Sequence, residues 1–586
     1  MRTAQEKRFN THDATSLFYR HWPRVSGEAP DRALVLLHRG HEHSGRLQHV
    51  VDEIGLPDFA CFAWDARGHG RTAGVRGDSP SFAASVKDVD YFIRHISTVY
   101  HIPMANIVVI AQSVGGVLAA TWAHDYAPAI RGMVLTAPAF KIKLYVPLAR
   151  PALALRYKLS GNFFIKSYVK ARFLTHDPER IRSYETDPLI TRDISARMLL
   201  GLYDASERVV ADAQAIHLPT QVLVSDSDWV VHRGPQETFF QNLGSSAKER
   251  HVLPGFFHDT LGEAKRHLAF EHIRSFVGRL FAVDPSVLWS KQALLQAHQA
   301  GYTRDEEQRL STPLSWLSLK NFQFALTRLS MRTVGRLSSG IRLGLATGFD
   351  SGSTLDYVYC DEPRGTSFLG RIIDRGYLNA VGWRGIRARK QHLQLAIRHA
   401  AQALRDTGQA LRILDIAAGH GRYVLDAVSA LPTPPDAIRL RDYSDTNVQA
   451  GRALIAARGL SDIATFEAGD AFDDAALAAL TPAPTLSLVS GLYELFSDNV
   501  AVARSLSGLA RVMHSGSYLI YTGQPWHPQL EMIARTLTSH RGHQAWVMRR
   551  RTQAELDALV SDAGFDKLEQ WTDDWGIFTV TLARRK

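Results

Sequence analysis

From Ala33 to about Phe281, short apolar runs bounded by turn residues alternate with longer stretches of helical character, and the alternation returns from about Leu411 to Leu582. In the first stretch Ala33–Leu37, Ala60–Trp64, Asn106–Ile110, Gly132–Thr136, Gln221–Val224 and His251–Leu253 read as parallel strands. In the second, Arg412–Ile416, Ile438–Arg441, Ala464–Glu467 and Thr485–Val489 do the same. Strand and helix in repeated succession predict the doubly wound α/β class, here twice over.

The interval between the fourth and fifth strands, about 140–217, is too long for one helix. It interleaves Phe140, Tyr145, Tyr157, Phe163, Phe164, Tyr168 and Phe173 with lysines and arginines, and is expected to be an inserted helical lid. Between the two α/β stretches strand character is weak, and Trp316, Leu319, Phe322, Phe324, Leu326 and Leu329 stand beside Lys320, Arg328, Arg332 and Arg336. This predicts a helical connector. The expected organisation is a first domain over 1–283, a connector and cover over 284–407, and a second domain over 408–586.

Composition agrees with two domains, since 586 residues exceed what one hydrophobic core organises. Only Cys61 and Cys360 occur, one in each half, so no disulfide framework is expected. The polar N-terminus has no signal-like apolar segment, and no run is long enough to span a bilayer, which together predict a cytoplasmic protein. A net charge of +10 attracts polyanions, either nucleic acid or the anionic face of a membrane.

Ser113 stands between an apolar run and an apparent helix in Ile110-Ala-Gln-Ser-Val-Gly-Gly116, where a tight turn presents a nucleophile beyond the sheet edge. The acid and base follow in the required order: Asp228 just past Gln221–Val224, and His258 just past His251–Leu253. His258 would take the Ser113 proton and return it to the leaving group, while Asp228 holds the imidazole. Asp226 competes for the acid role, and Asp228 is preferred because it lies further past the strand end. The loop His38–Arg46 is placed to aim amides at an oxyanion, with Gly40 and Val114 as donors. Its histidines His38, His41 and His43 also admit a metal reading, which is disfavoured because no carboxylate-histidine spacing accompanies them, and no metal is expected.

The loop His38–Arg46, the turn Asp65-Ala-Arg-Gly-His-Gly70 and the triad together resemble the monoacylglycerol lipase, lysophospholipase and serine aminopeptidase branch of the α/β-hydrolases. Arg39 stands where that branch has Gly, and Ala111 where it has the first Gly of the serine turn. Asp65, Arg67 and His69 are expected to brace the loop beneath the site.

In the second domain a strand leads into Asp415-Ile-Ala-Ala-Gly-His-Gly421, and a helix opens at Arg422. Gly419 and Gly421 let backbone approach a ligand, with Ala417 in the same turn. Asp415 suits a cationic amino acid moiety rather than a pyrophosphate, which favours S-adenosylmethionine. Asp442, one βα unit on, is placed for ribose hydroxyls. Asp470, Ala471 and Phe472 offer a carboxylate and an aromatic face for adenine, resembling the third motif of class I methyltransferases. Ser490 follows the fourth strand, and Tyr493 or Glu494 orients the acceptor or else caps and packs a helix start. The absence of Asn-Pro-Pro-Tyr there disfavours amino-methylation of nucleic-acid bases. The resemblance covers about 340–586 and implies a seven-stranded Rossmann-like sheet completed by Tyr518–Tyr521, Lys567–Trp571 and Ile577–Leu582.

The expected protein is therefore α/β, an α/β-hydrolase with helical lid and a methyltransferase joined by a helical connector. Its expected substrates are a lipid-type ester (monoacylglycerol or lysophospholipid) or small ester, and a small or lipid-linked methyl acceptor. Peripheral contact with an anionic membrane fits the charge, and nucleic acid is disfavoured as partner. A methyltransferase whose hydrolase half serves only as a lipid-binding scaffold is the alternative.

Overall fold

The structure, a computed structural model, describes residues 1–586 except 27, 145, 147, 168 and 285–289. Tyr145 and Tyr168, read above as lid aromatics, lie outside the described residues. The chain divides into two compact units, Met1–Ser290 and Lys291–Lys586.

The first unit is built on eight strands: β1 (Gln5–Asn10), β2 (Ser16–Trp22), β3 (Ala33–Leu37), β4 (Ala60–Trp64), β5 (Ile107–Gln112), β6 (Gly132–Thr136), β9 (Thr220–Ser225) and β10 (Lys248–Leu253). Their order is β1-β2-β4-β3-β5-β6-β9-β10. From β4 to β10 all neighbours are parallel, whereas β1 and β2 form an antiparallel hairpin joined to β4. The apolar pattern does not reveal that hairpin, because β1 is polar and buries only Phe9. The central β5 is buried at every position and feeds the helix Val114–Tyr126, itself buried over nearly its whole length.

The insertion differs from an all-helical lid. It holds the helix Ala149–Ser160, then a two-stranded antiparallel ribbon of β7 (Phe164–Lys166) and β8 (Asp193–Ser195), with the helix Pro178–Thr186 between the strands. The following helix, Ala196–Ala211, buries Leu202 and Val209 in the main core, so it belongs to the body of the unit.

The second unit holds β11 (Arg412–Asp415), β12 (Ala437–Asp442), β13 (Ala464–Ala468), β14 (Leu486–Val489), β15 (Tyr518–Gly523), β16 (Phe565–Thr572) and β17 (Thr579–Arg585). Their order is β13-β12-β11-β14-β15-β17-β16, with β17 antiparallel to both neighbours. The order reverses between β11 and β14, and a doubly wound sheet binds ligands at the carboxyl ends flanking that point. The stretch expected as a connector is part of this unit from Lys291 onward. Its longest helix, Val381–Asp406, packs Leu393, Ile397, Ala400 and Leu404 into the core, an apolar face that a free linker would have to expose.

Candidate active sites

At the end of β5 the chain turns through Ser113 at φ 54° and ψ −114°. A non-glycine residue holds such a backbone only where its surroundings compel it, at a cost of about 1–3 kcal/mol. The turn closes tightly because Gly115 follows: a Cβ there would sit 2.6 Å from the carbonyl oxygen of His38. Ala111 lies in regular register with Leu37 and Leu135, so its methyl group is accommodated within the strand.

The Ser113 hydroxyl lies 2.8 Å from Nε2 of His258, and Nδ1 of His258 lies 2.7 Å from Oδ2 of Asp228. All three residues are buried. Oδ1 of Asp228 accepts from the amides of Val230 (2.7 Å) and Val231 (2.9 Å). Burial pushes this carboxyl up, but the charge and hydrogen bond of His258 and the two amides outweigh it and hold it below the ordinary value. Asp226 pairs instead with Arg233 at the surface.

Gly40 and Val114 border the same cavity as Ser113 and pack closely, a Cβ on Gly40 falling 3.2 Å from Cγ2 of Val114. Neither amide donates to a protein acceptor among the described residues. A cavity of about 700 Å³ reaches Ser113 and His258, walled mainly by apolar groups including Leu153, Ile165, Met198, Leu199 and Leu202. An activated serine bordering an apolar cavity can be acylated by a substrate with a long hydrocarbon part.

The loop histidines diverge. His38 accepts from the Ala66 amide at 3.1 Å, His43 reaches Asp187 at 2.9 Å, and His41 borders the cavity. In the Asp65–Gly70 turn, Asp65 accepts from the amides of Ser44 and Arg71, and Arg67 pairs with Asp88 and Asp13. That turn braces the loop.

Arg39 is buried, and its guanidinium donates to Glu42 at 2.7 Å and lies over the Tyr184 ring at 5.0 Å. Asp259, next to the triad histidine, accepts from Gln112, next to the nucleophile, and from Arg180 of the insertion. Burial raises the Asp259 carboxyl, but Arg180 and Arg39 hold it far below the usual range. Gln112, Asp259, Arg180 and Tyr184 form no sequence motif, and Arg39 was legible only as a departure from one.

In the second unit the glycine turn adopts φ 58° at Gly419 and φ 74° at Gly421. A Cβ on Gly421 would meet Leu440 at 2.5 Å. Asp442 accepts from the Gly419 amide (2.9 Å), the Ser444 amide (3.0 Å) and Asn447 (3.0 Å). This leaves a lone pair for a hydroxyl of a bound ligand. Asp470 accepts from the Phe472 amide at 2.8 Å and is exposed; Ala471 is buried, and Phe472 meets Phe496 edge-on at 4.5 Å.

Asp415 departs from its expected place against a ligand cation. It is fully buried, accepting from the Ala417 amide at 3.1 Å and from the Tyr423 hydroxyl. Burial pushes its carboxyl up to about 7, with the Tyr423 and Ala417 bonds opposing and Asp442 adding to the rise. The side chain therefore braces the turn. Of the two expectations for Tyr493 the structure shows the packing one: its hydroxyl donates to Ser505 at 3.0 Å and its ring belongs to the apolar core.

Glu494 faces a second cavity, of about 400 Å³, bounded by Gly491, Arg389, Gln524, His527, Trp383 and Phe578 among others. Its Oε1 accepts from Thr522 at 2.9 Å and lies 3.7 Å from Arg389. Oε2 of Glu494, Nε of Arg389, Nε2 of Gln524 and, beside Gly491, Oγ of Ser490 are buried without a protein partner. Buried polar atoms are almost always paired, so a cluster left unpaired beside a strand-end turn fits a polar ligand such as S-adenosylmethionine and its acceptor. Burial pulls His527 down to about 4, and its Nδ1 accepts from the Gln529 amide at 3.0 Å, which puts the proton of the neutral ring on Nε2. Arg389, Gln524 and His527 lie outside every motif read from the sequence.

Fold and sites together define a two-part enzyme, an α/β-hydrolase unit followed by a unit of methyltransferase type. The chain belongs to the family described as "Putative methyltransferase", whose model matches residues 273–585. The model described as "Serine aminopeptidase, S33" matches residues 28–265. The chain is 57% identical over 580 residues to uncharacterized protein YnbC of Escherichia coli, covering 99% of this chain and 98% of that one. It is 26% identical over 258 residues to the monoacylglycerol lipase of Mycolicibacterium smegmatis, covering 42% of this chain and 88% of the relative. Among solved structures, the monoacylglycerol lipase of Paleococcus ferrophilus aligns with 48% of this chain and 99% of its own, at 21% identity and a TM-score of 0.40. Among the described residues no helix is long and apolar enough to cross a membrane.

Proposed function

We propose that the first unit is a serine hydrolase of lipid-type carboxylic esters, monoacylglycerol or lysophospholipid, and that the second transfers a methyl group from S-adenosylmethionine to a small or lipid-linked acceptor. The observation that carries the first assignment is the Ser113-His258-Asp228 chain of hydrogen bonds, at 2.8 and 2.7 Å, bordering an apolar cavity. Ser113 attacks the ester carbonyl as His258 takes its proton, the amides of Gly40 and Val114 receive the oxyanion, and His258 returns the proton to the departing alcohol. Water then repeats the sequence on the acyl-serine. The lipase relatives support a lipid ester as substrate.

For the second unit, S-adenosylmethionine supplies an electrophilic methyl group on a sulfonium. Asp442 would hold its ribose, Asp470, Ala471 and Phe472 its adenine, and Gly419, Gly421 and Ser490 its amino acid end, with Ala417 and Asp415 bracing the turn. Glu494, Arg389 and His527 would orient the acceptor in the second cavity. The protein would act in the cytoplasm, at the face of an anionic membrane.

The test is a fluorophosphonate probe on the purified protein and its Ser113→Ala variant, with the adduct located by mass spectrometry. Labelling confined to Ser113 is expected, and an unlabelled wild type sinks the hydrolase reading.

A further inference from the structure

The helix Leu319–Arg332 is apolar on two faces. Thr327 and Met331 turn inward and line the 400 Å³ cavity, while Arg328 donates to the Arg535 carbonyl at 2.7 Å and fixes that face to the unit. On the opposite side Leu319, Phe322, Leu326 and Leu329, spaced by three, four and three residues, form one stripe, each more than half exposed. Trp316 and Leu317, just ahead of the helix, are 82% and 74% exposed.

A second helix repeats the arrangement. In Phe368–Leu378, Ile373 and Tyr377 line the same cavity, while Phe368, Leu369 and Ile372 face solvent. The turn Val334–Leu337 joins the two helices: the Thr366 amide donates to the Leu337 carbonyl at 3.1 Å, and a Cβ on Gly370 would fall 2.4 Å from that oxygen. Single exposed leucines need no explanation, but a row of large apolar side chains on joined elements does.

The unpaired charge on this face is positive, Lys320 being held by Glu531 at 3.0 Å. Between Glu307 and Asp350 there is no acidic residue, whereas Lys320, Arg328, Arg332, Arg336 and Arg342 fall there. Arg332, Arg336 and Arg371 are exposed and have no acidic partner among the described residues. A two-fold pairing of this face with a second copy would set these unpaired arginines against one another. An anionic bilayer satisfies both parts, taking the apolar stripe at the acyl boundary and the arginines at its phosphates.

We infer that the face formed by 316–336 and 368–372 docks on an anionic lipid bilayer, and that the cavity behind it receives a methyl acceptor drawn from that bilayer. One helix, about 10 Å thick, would separate lipid from the cavity. The acceptor half of this inference rests on the methyltransferase reading above; the docking half does not.

The experiment is flotation of the full-length protein with phosphatidylcholine vesicles, with and without phosphatidylglycerol, alongside Phe322→Ser/Leu326→Ser. Both side chains are exposed, so folding should survive, and circular dichroism and S-adenosylmethionine calorimetry check it. Leu155→Ser/Leu159→Ser on the exposed lid helix is the control. Binding that depends on phosphatidylglycerol and falls about tenfold or more in Phe322→Ser/Leu326→Ser, at unchanged S-adenosylmethionine affinity, supports the inference. Equal flotation of variant and wild type, loss only in the lid control, or a wild type that does not float overturns it. So does a wild type that self-associates through this face in the ultracentrifuge. A protein that floats as expected yet takes no S-adenosylmethionine overturns the acceptor half alone.

Discussion

The hydrolase unit holds its reactive groups already paired, with Ser113, His258 and Asp228 joined in one chain of hydrogen bonds and Asp228 further held by two amides. The second unit leaves its site partly unpaired: Glu494 meets Thr522 and Arg389 through Oε1, yet Ser490, Glu494, Arg389 and Gln524 each keep a buried polar atom with no protein partner. The difference follows from where the chemistry resides. A nucleophilic site carries its own reactive atoms and can be preorganised from side chains alone, whereas a group-transfer site leaves polar atoms for a cofactor and an acceptor to pair.

The largest effect that would sharpen this contrast is at the triad. Ser113→Ala and Asp228→Asn should each lower ester hydrolysis by roughly 10⁴-fold, while S-adenosylmethionine affinity by calorimetry stays unchanged. Asp226→Asn should leave hydrolysis within about threefold, since Asp226 pairs with surface Arg233. A large loss there would move the acid role.

Next is the buried charge cluster. Arg39→Gly removes a partner from Glu42 and Asp259 inside the first unit, and should cost about 3 kcal/mol of its unfolding free energy, read by denaturant titration. Despite burial, Arg39 and Arg180 hold both carboxyls below their ordinary values. Their stabilisation is therefore fully present above the ordinary carboxylate range and is lost as pH falls through the lowered values. Arg39→Gly should weaken that acid dependence. A variant with wild-type stability and acid sensitivity contradicts the assignment.

One buried carboxyl of the second unit, Asp415, answers pH in the opposite sense. Burial raises Asp415 from 3.8 to about 7, so its protonated form suits the fold, and its contribution is full at low pH and lost as pH rises through about 7. Asp415→Asn should flatten the stability of this unit between those values, by a change on the order of a few kcal/mol. An unchanged pH profile breaks that part of the comparison. The smallest effect belongs to Tyr493→Phe, which should lose about 1 kcal/mol of stability without altering methyl transfer, whereas Glu494→Gln should lower transfer and also stability, since it leaves buried Arg389 without its carboxylate.

The sequence reveals most parallel strands of both units because they are short apolar runs cut off by turn residues, although β10 shows only Val252 and Leu253. It conceals β1, whose buried face shows a single apolar residue, Phe9. The positions of Ser113, Asp228 and His258 were legible because each follows a strand end, which topology alone brings to one edge. The side-chain directions of Asp415 and Tyr493 are not legible in this way, and of the two readings open for Tyr493 the structure shows packing in the core. Which way a buried side chain turns depends on partners such as Tyr423 and Ser505, which no local pattern announces. The walls of the second cavity come from segments as distant as Met331 and Phe578, so nothing short of the fold assembles them.

The central claim is two separate active units in one chain, and one sample tests it. The wild-type protein is reacted to completion with a fluorophosphonate, the modified residue is located by mass spectrometry, and the same adduct is titrated with S-adenosylmethionine. The account predicts a single adduct on Ser113 and cofactor binding equal to that of the unreacted protein; an unlabelled Ser113, or an adduct and an unreacted protein that both fail to bind S-adenosylmethionine, would contradict it.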